Sequence, residues 1–270
     1  MISVNGEVVK YGHFPDGTLS MLECPSNLLS GDYEIIWFFE SVEEQIVLYN
    51  LVKHLRAFSI DQGAMALCLP YVPNARMDRV HNPTEVFTLK YFADFINDLN
   101  FDRVLVLDPH SDVTPALINH CVTGYVKDAV NMAMEEQQTQ VLCFPDAGAF
   151  KRYHDEFPYA ASVYCDKVRD WKSGKLKGMR LAGDPEMVKD KRVMIVDDIC
   201  SRGGTFILAA NALLEAGASE VCLFVTHCEN SIFAGAVLTK GSSIKHVYTT
   251  NSLHHAEHDK LTTYEITMEY

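Results

Sequence analysis

Two patterns of apolar and polar residues alternate along the chain: short β-rich runs and longer amphipathic segments. The short runs predict strands over residues 33–38, 64–72, 103–108, 140–145, 162–164, 192–197, 220–226 and 246–250. Apolar residues at helical spacing predict helices over 41–58, 84–99, 127–138, 149–157 and 205–216. Ser41 is suited to begin the first helix, and Gly217 is suited to end the last one. Strands that alternate with helices are typical of parallel sheets with crossover helices, so the sequence predicts an α/β protein.

Internal boundaries are weakly marked in this chain. It has no Pro/Gly/Ser-rich linker, no low-complexity tract and no repeat at solenoid spacing. Polarity rises around residues 127–139, so we expect two halves, 1–138 and 139–270, an arrangement that allows the last residues to return to the first half. Residues 166–191 are rich in Lys, Arg, Asp and Gly without periodicity, which predicts a long mobile loop between two strands.

Composition narrows the class of protein. A chain of 270 residues, 48% of them hydrophobic, can bury one large core or two smaller ones. The net charge of -13 argues against a basic nucleic-acid-binding surface, and an anionic substrate therefore needs local cations or metal ions. No apolar run approaches the ~20 residues of a membrane span, and the first residues lack the pattern of a signal peptide. We expect a cytoplasmic protein that binds neither nucleic acid nor membranes.

The eight cysteines are spread along the chain without a Cys-x-x-Cys pair. Most of them lie in apolar, strand-like runs. This placement favours reduced core residues over disulfides or a zinc site.

Residues 192–205 carry the strongest local evidence of chemistry. Their sequence is that of a buried strand, two acids and a glycine turn before a helix, RVMIVDDICSRGGT. Glycines allow backbone amides to face a ligand, and a helix N-terminus adds partial positive charge, so the turn predicts a phosphate site. Asp197 and Asp198 stand at the strand end, where α/β folds bind ligands, and they suit sugar hydroxyls. A plain strand-turn-helix corner with a capping acid is the alternative.

This segment resembles the phosphoribosyl-diphosphate binding loop of type I phosphoribosyltransferases, and three further segments narrow the resemblance. In order and spacing, they are similar to motifs of the ribose-phosphate diphosphokinases, or phosphoribosyl diphosphate synthetases: PYVPNARMDR (70–79), VLDPHS (106–111) and FPDAGAFKR (144–152). The resemblance runs from about residue 14 to residue 250. It implies two type I phosphoribosyltransferase-like halves, each a mostly parallel sheet flanked by helices. It also implies Mg²⁺-dependent transfer of the diphosphate of ATP to the anomeric hydroxyl of ribose 5-phosphate.

The same resemblance assigns roles to individual residues. His110 and Asp146 match the family's metal ligands at the ATP phosphates, where Mg²⁺ neutralises charge and orients the β-phosphorus. Lys167 and Arg169 match a Lys-x-Arg pair on a loop that closes over the reacting phosphates, and Lys167 is the first catalytic candidate. The ribose-phosphate loop comprises Asp197, Asp198, Ser201, Arg202, Gly203, Gly204 and Thr205. Without the resemblance, His110 is a capping or core histidine and the loop cations are solvated surface charges.

Three residues match positions that hold ATP in the family. Arg76 matches an arginine whose guanidinium stacks on adenine and binds phosphate oxygens. Residues 13–18, HFPDGT, resemble an adenine-recognition segment in which Phe14 stacks on the base and Asp16 bonds its edge. Because that segment often comes from a neighbouring subunit, the resemblance implies a homo-oligomer.

The sequence departs from the family pattern at several positions. Thr18 stands where the family prefers glutamate, and Met77 replaces a usual glutamine, which bears on nucleotide selectivity. Ser201 and Arg202 replace an acidic residue and a threonine in the phosphate loop. An inward Arg202 would hold a second phosphate, so ADP-ribose is an alternative acceptor that would link the chain to NAD metabolism; an outward Arg202 would face solvent. Both chain ends are shorter than in the family, so the resemblance does not extend to the family's subunit contacts and allosteric control.

Two further hypotheses belong to other classes of protein. A non-catalytic homologue that regulates an active synthetase would share the fold, but it has no need of the retained cations and acids. A base-using phosphoribosyltransferase would share the phosphate loop, but it has no use for the ATP segments. AMP release from ATP in the presence of ribose 5-phosphate distinguishes these hypotheses from the first.

Overall fold

The structure is a computed structural model that describes residues 1–23, 31–58, 63–169, 176–253 and 256–266. The chain divides into two compact units, Met1–Tyr125 and Val126–Thr267. This division falls earlier than the boundary expected at 138/139, because the helix over Lys127–Gln137 packs on strands of the second unit. The expected return of the last residues to the first half concerns residues outside the described ranges.

The first unit is built on a six-stranded sheet. In chain order its elements are β1 (Ile2–Val4), β2 (Glu7–Val8), β3 (Lys10–His13), β4 (Leu19–Glu23), β5 (Tyr33–Trp37), α1 (Glu44–Phe58), β6 (Met65–Leu69), α2 (Thr88–Asp98), β7 (Arg103–Leu107), α3 (Val113–Leu117) and β8 (Cys121–Gly124). The strand order is β2-β1-β5-β6-β7-β8, with β5 to β8 parallel and β1 antiparallel to both neighbours. Strands β3 and β4 form a separate antiparallel hairpin.

The second unit is built on a seven-stranded sheet. Its elements are α4 (Lys127–Gln137), β9 (Val141–Phe144), α5 (Ala147–Tyr153), β10 (Ala161–Arg169), β11 (Leu176–Ala182), β12 (Arg192–Cys200), α6 (Gly204–Glu215), β13 (Glu220–Cys228), β14 (Val247–Thr250) and β15 (Leu261–Tyr264), with 3₁₀ turns at His154–Glu156, Pro185–Met187 and Asn230–Ala234. The strand order is β11-β10-β9-β12-β13-β14-β15. All neighbours are parallel except β11, which runs antiparallel to β10.

Helices cover both faces of the second sheet, and this explains the apolar runs of its central strands. Alternate residues of β9, β12 and β13 share one buried cluster with α6. On the other face, Phe144 of β9 lies 5.7 Å from Phe150 and 6.0 Å from Tyr153 of α5, measured between ring centroids. Because neither face meets water, every residue of β9 is buried.

The mostly parallel α/β architecture confirms the predicted fold class. Each predicted strand and helix is present, with its ends shifted. The strands that the pattern did not predict are β1, β2, β3, β4, β8, β11 and β15. Except for β1, they are the edges of the two sheets or the separate hairpin. Such strands are partly exposed and lack a continuous apolar run, so periodicity does not reveal them.

The loop predicted over residues 166–191 is wrong for most of the described residues in that range. Strand β10 continues to Arg169, and β11 returns antiparallel beside it. Residues 170–175 lie outside the described ranges. A hairpin at a sheet edge keeps many polar residues in water, so its strands carry no apolar alternation.

The two predicted helix ends differ in outcome. Gly217 follows α6 with φ +96°, and the Ala218 amide donates to the Leu213 carbonyl at 3.0 Å, which confirms the glycine stop. Helix α1 begins at Glu44 and not at Ser41. The Glu44 carboxylate accepts hydrogen bonds from the Glu40 amide at 2.8 Å and the Trp37 indole at 2.9 Å, so a buried acid organises this helix start.

Six of the seven described cysteines follow the prediction of reduced core residues. All seven carry free thiols, and all of these except Cys121 are buried. Cys24 lies outside the described ranges. In the part of the chain that the structure describes, no helix has the length and apolar character needed to cross a membrane.

Candidate functional site

The carboxyl ends of three adjacent parallel strands, β10, β9 and β12, meet at one edge of the second sheet. Tyr164 of β10 is paired with Phe144 of β9, and Cys143 of β9 is paired with Ile195 of β12. A few residues beyond these pairs, the three strands reach the predicted site residues Lys167, Asp146, Asp197 and Asp198. Parallel pairing therefore brings together reactive side chains that are distant from one another in the sequence.

Asp146 lies two residues after β9 and caps α5. Its Oδ1 accepts hydrogen bonds from the amides of Gly148 and Ala149, both at 3.0 Å. Its Oδ2 lies 2.6 Å from the Lys167 ammonium. Burial alone would raise the pKa of Asp146, but the Lys167 hydrogen bond and the two amides outweigh it, and the pKa lies below its ordinary value. The predicted metal ligand is thus ionised at neutral pH and paired with the predicted catalytic cation.

Arg169, the second predicted cation, ends β10. Its backbone is paired with Leu176 of β11. Its side chain is outside the described part of the structure, so its role stays a prediction.

Strand β12 presents two adjacent acids in different surroundings. Asp198 is buried, and its Oδ1 lies 2.8 Å from Nη1 of Arg152 on α5. Asp197 is half-buried, and its Oδ1 accepts a hydrogen bond from the Asp198 amide at 3.0 Å. Burial and the neighbouring Asp198 charge raise the pKa of Asp197 well above its ordinary value, although Arg152 acts in the opposite direction. Asp198 is neutralised by an arginine, whereas Asp197 ionises less readily.

The glycine turn after β12 packs closely against residues 235–237. Gly203 has φ +72°, and a Cβ at this position would lie 2.2 Å from Cγ2 of Val237. A Cβ at Gly235 would lie 2.0 Å from the carbonyl oxygen of Arg202. Helix α6 begins at Gly204, and its N-cap residue is Gly203, which has no side chain to bond the first amides of the helix. The first amides of α6 therefore form a rigid surface that suits an anion.

The side chains of this turn differ in exposure. Ser201 is half-buried and lies 2.9 Å from Ser231, measured between the two Oγ atoms. Thr205 is half-buried in the first turn of α6. The Arg202 side chain is exposed, and it forms no ion pair with any residue in the described ranges.

Two of the predicted ATP residues lie at the tip of the β3–β4 hairpin in the first unit. Phe14 is 56% exposed, so its ring is available to a ligand. Asp16 Oδ1 accepts hydrogen bonds from the amide and the hydroxyl of Thr18, at 3.0 and 2.6 Å. Thr18, a departure from the family pattern, thus closes this turn.

The other predicted residues of the first unit follow β6 and β7. Arg76 is exposed in the turn after β6. His110 is half-buried after β7, near Asp78. Burial would raise the pKa of Asp78, but the Arg79 hydrogen bond, Ser111 and the charge of His110 together lower it.

The expected metal ligands belong to separate units, His110 to the first and Asp146 to the second. Within the described ranges, no three His, Cys, Asp or Glu side chains are grouped so as to hold a metal ion. Mg²⁺ commonly uses one or two carboxylates together with substrate phosphates and water. The half-exposed Asp146 carboxylate fits such a role.

Arg152 contacts the predicted site through Asp198, although the sequence pattern predicted no role for it. It belongs to the 144–152 segment and lies on α5, the helix that Asp146 caps. A basic residue on the helix that starts from the predicted metal ligand is the feature that would have drawn attention to it. Its partner Asp198 is on β12, far away in the chain, so the pairing itself is not visible in the sequence.

Comparisons with known proteins agree on one family. A family model described as "Phosphoribosyl transferase domain" matches residues 130–251. A ribose-phosphate pyrophosphokinase from Caldanaerobacter subterraneus subsp. tengcongensis is 30% identical over 226 residues, which are 81% of this chain and 68% of the relative. Another, from Sulfurisphaera tokodaii, is 26% identical over 262 residues, 94% of this chain and 87% of the relative.

Other similar proteins are covered by this chain to different extents. The chain spans 55% of "Ribose-phosphate pyrophosphokinase 3, chloroplastic" from Oryza sativa subsp. japonica, with 23% identity. The crystal structure of phosphoribosylpyrophosphate synthetase from Mycobacterium smegmatis is similar with a TM-score of 0.71 and 22% identity, over 96% of this chain and 86% of that one. At this identity the structural similarity establishes a shared fold.

We expect Asp197→Asn to raise the free energy of unfolding at neutral pH by about 1 kcal/mol. The folded chain binds the Asp197 proton more tightly than the unfolded chain does. Protonated Asp197 therefore contributes to the free energy of unfolding. The contribution has its full value below the ordinary pKa of 3.8, and it is lost as the pH rises through the pKa of Asp197 in the folded chain. Asparagine keeps an acceptor for the Asp198 amide without the charge. Urea denaturation at several pH values should show a gain that grows above about pH 4. Asp155→Asn, in the exposed turn after α5, is the control, and an equal gain there would contradict this explanation.

We expect Arg152→Ala to lower the free energy of unfolding by about 2–4 kcal/mol, because the buried Asp198 carboxylate loses its cation. In that background Asp198→Asn should recover part of the loss, since it removes the uncompensated charge. Urea denaturation of the four proteins of this cycle measures the coupling. Arg192→Ala, at the opposite end of β12, is the control and should lower the free energy of unfolding by less than about 1 kcal/mol. Strictly additive losses in the double variant would show that Arg152 and Asp198 are not coupled.

Proposed function

The chain belongs to the ribose-phosphate pyrophosphokinase family, and from this premise we propose that it transfers the diphosphate of ATP to the anomeric hydroxyl of ribose 5-phosphate. The products are AMP and phosphoribosyl diphosphate. One observation carries the proposal: the Lys167–Asp146 pair shares a sheet edge with the two acids of β12 and the α6 turn. Phosphoryl-type transfer relies mainly on such positioning and charge.

The acceptor is held by the end of β12 and the start of α6. The amides of Gly203, Gly204 and Thr205 bind the 5-phosphate, as unsatisfied amides at a helix N-terminus do. Asp197 and Asp198 accept hydrogen bonds from the ribose hydroxyls. The Arg152 ion pair fixes the Asp198 side chain, so part of this surface is preorganised before the sugar binds.

ATP is assigned to residues of the first unit on the strength of the family resemblance. Phe14 stacks on adenine, Asp16 bonds its edge, and Arg76 contacts phosphate. The exposure of Phe14 and Arg76 supports this assignment. As in the family, a homo-oligomer would bring the hairpin of one subunit to the site of another.

Mg²⁺ would be held by Asp146 and His110, and it would neutralise phosphate charge and orient the β-phosphorus for attack. The anomeric oxygen bonds to the β-phosphorus, its proton leaves to water, and the bond from the β-phosphorus to the oxygen that bridges it to the α-phosphate breaks. Lys167 and Arg169 stabilise the negative charge that moves onto the leaving AMP. Lys167 already lies at the sheet edge through its ion pair with Asp146. We place the reaction in the cytoplasm, where the free thiols of the described cysteines remain reduced.

The direct test is AMP release from ATP and ribose 5-phosphate. We expect release that needs both substrates and Mg²⁺ and that stops when the metal is chelated. A non-catalytic homologue would bind the ligands without releasing AMP. A base-using phosphoribosyltransferase would consume phosphoribosyl diphosphate and a base without ATP. Either of these results would overturn the proposal.

We expect Lys167→Ala to lower turnover by about 10²-fold or more while it leaves ATP affinity largely unchanged, because the cation acts mainly in the transition state. The matched control is Lys245→Ala. Lys245 forms a comparable ion pair with Glu220 at 2.9 Å, at the amino end of the same sheet. Steady-state kinetics and ATP titration measure both effects. Unchanged turnover in Lys167→Ala, or equal losses in the two variants, would remove Lys167 from the mechanism.

A second candidate acceptor is ADP-ribose, and the exposed Arg202 favours it. This guanidinium lies in the turn before α6 without an ion-pair partner among the described residues. It is therefore available to the second phosphate of a ribose whose 5-phosphate is esterified. The chemistry is otherwise the same, because the anomeric hydroxyl attacks ATP in both cases.

We expect AMP release with the two acceptors, under equal Mg²⁺ and ATP, to show which one the turn selects. If Arg202 binds a second phosphate, Arg202→Thr lowers kcat/KM for ADP-ribose by about 10-fold or more and spares ribose 5-phosphate. Arg192→Thr, at the far end of β12, is the control for loss of a cation. A preference for ribose 5-phosphate that is unaffected by Arg202→Thr would eliminate ADP-ribose.

A further inference from the structure

Three side chains form a continuous chain of hydrogen bonds between the segments that follow β12 and β13. Ser201 Oγ lies 2.9 Å from Ser231 Oγ. The Ser231 hydroxyl donates to Oε2 of Glu229 at 3.1 Å. All three residues are half-buried. Ser201 belongs to the turn that precedes α6, so this chain reaches the proposed acceptor site.

The chemistry of the three groups determines the direction of these bonds. A carboxylate has only acceptor atoms, so the single hydroxyl proton of Ser231 is donated to Glu229. The bond between the serines then requires a proton from Ser201. Ser201 in turn has no proton left for a ligand, and its remaining capacity is that of an acceptor.

Backbone contacts hold the two segments together without the serine bond. The Glu229 amide donates to the Cys200 carbonyl at 2.9 Å. Gly235 packs against the Arg202 carbonyl so closely that a Cβ would lie 2.0 Å from that oxygen. Loss of a serine hydroxyl should therefore change hydrogen bonding and leave the shape of the turn intact.

We propose that Glu229, acting through Ser231, holds the Ser201 hydroxyl as a hydrogen-bond acceptor toward the ligand, so that Ser201 selects a sugar hydroxyl and contributes nothing to phosphate binding. The inference rests on the proposed function, since it concerns the same acceptor site. A phosphate oxygen needs donors, and the first amides of α6 supply them. A sugar hydroxyl is a donor and matches an acceptor. In this arrangement backbone amides bind the phosphate of the acceptor, and the Ser201 side chain, supported by Ser231 and Glu229, binds its sugar.

Calorimetric titration without ATP tests this inference with two probes, inorganic phosphate and ribose 5-phosphate. The proteins are the wild type, Ser201→Ala, Ser231→Ala and the double variant. We expect Ser201→Ala to raise the Kd of ribose 5-phosphate about 3- to 10-fold, the worth of one hydrogen bond, and to change that of phosphate less than about 2-fold. In the Ser231→Ala background the Ser201 proton is released. There, Ser201→Ala should raise the Kd of phosphate about 3- to 10-fold.

Glu229→Gln provides a second, conservative route to the same result. Its amide nitrogen can donate to Ser231, which allows the direction of the whole chain to reverse. Phosphate affinity should then depend on Ser201 as it does in Ser231→Ala. Ser243→Ala, which removes a hydroxyl bonded to Asn211 of α6, is the matched control and should leave both affinities unchanged. Urea denaturation verifies that each variant is folded.

Two results would overturn the inference. The first is that Ser201→Ala weakens phosphate binding as much in the wild type as in the Ser231→Ala background. The second is that Ser201→Ala leaves ribose 5-phosphate affinity unchanged. If the folded wild type bound neither probe, the proposed function itself would fail together with the inference. Normal binding of ribose 5-phosphate with the wrong dependence on Ser201 would overturn the inference alone.

Discussion

Parallel pairing of β9 between β10 and β12 is the constraint on which the candidate site depends. Parallel strands end at the same edge of a sheet, so three segments that are distant in the chain deliver their polar residues to one place. The pairing is stable because helices bury both faces of the central strand β9. The apolar strands thus provide both the core of the second unit and the geometry of its site.

Charge at this edge is organised in pairs. The chain carries a net charge of -13, yet the site places a cation on each of two acids, Lys167 on Asp146 and Arg152 on Asp198. Helix α5 links the two pairs, because Asp146 caps it and Arg152 lies near its other end. Asp197 forms no such ion pair with a residue in the described ranges, and burial together with the Asp198 charge raises its pKa. A carboxyl group whose ionisation destabilises the folded state is typical of a residue that serves ligand binding or catalysis.

The turn before α6 shows how a shared fold accommodates local change. Its backbone is fixed by the close approaches at Gly203 and Gly235, which leave no room for larger residues. Its side chains are less constrained: Arg202 is exposed, and Ser201 is tied to Ser231 and Glu229. The backbone of this turn suits one phosphate, whereas its side chains determine what surrounds that phosphate. We therefore look to Ser201 and Arg202 for the identity of the acceptor.

The sequence by itself determined the α/β class and the central strands, because buried strands leave local apolar patterns. For the site it supplied predicted residues, because a glycine turn before a helix is also a local pattern. It also located Gly217 as a helix stop, since only a local backbone conformation is involved. Tertiary structure decided what depends on contacts between distant segments: the partnership of Arg152 with Asp198, the Ser201–Ser231–Glu229 chain and the pairing of Lys167 with Asp146. It also decided that β11 lies beside β10 as a hairpin. A polar edge strand leaves no apolar alternation, and a side chain's partner is set by strand order, which no local pattern encodes.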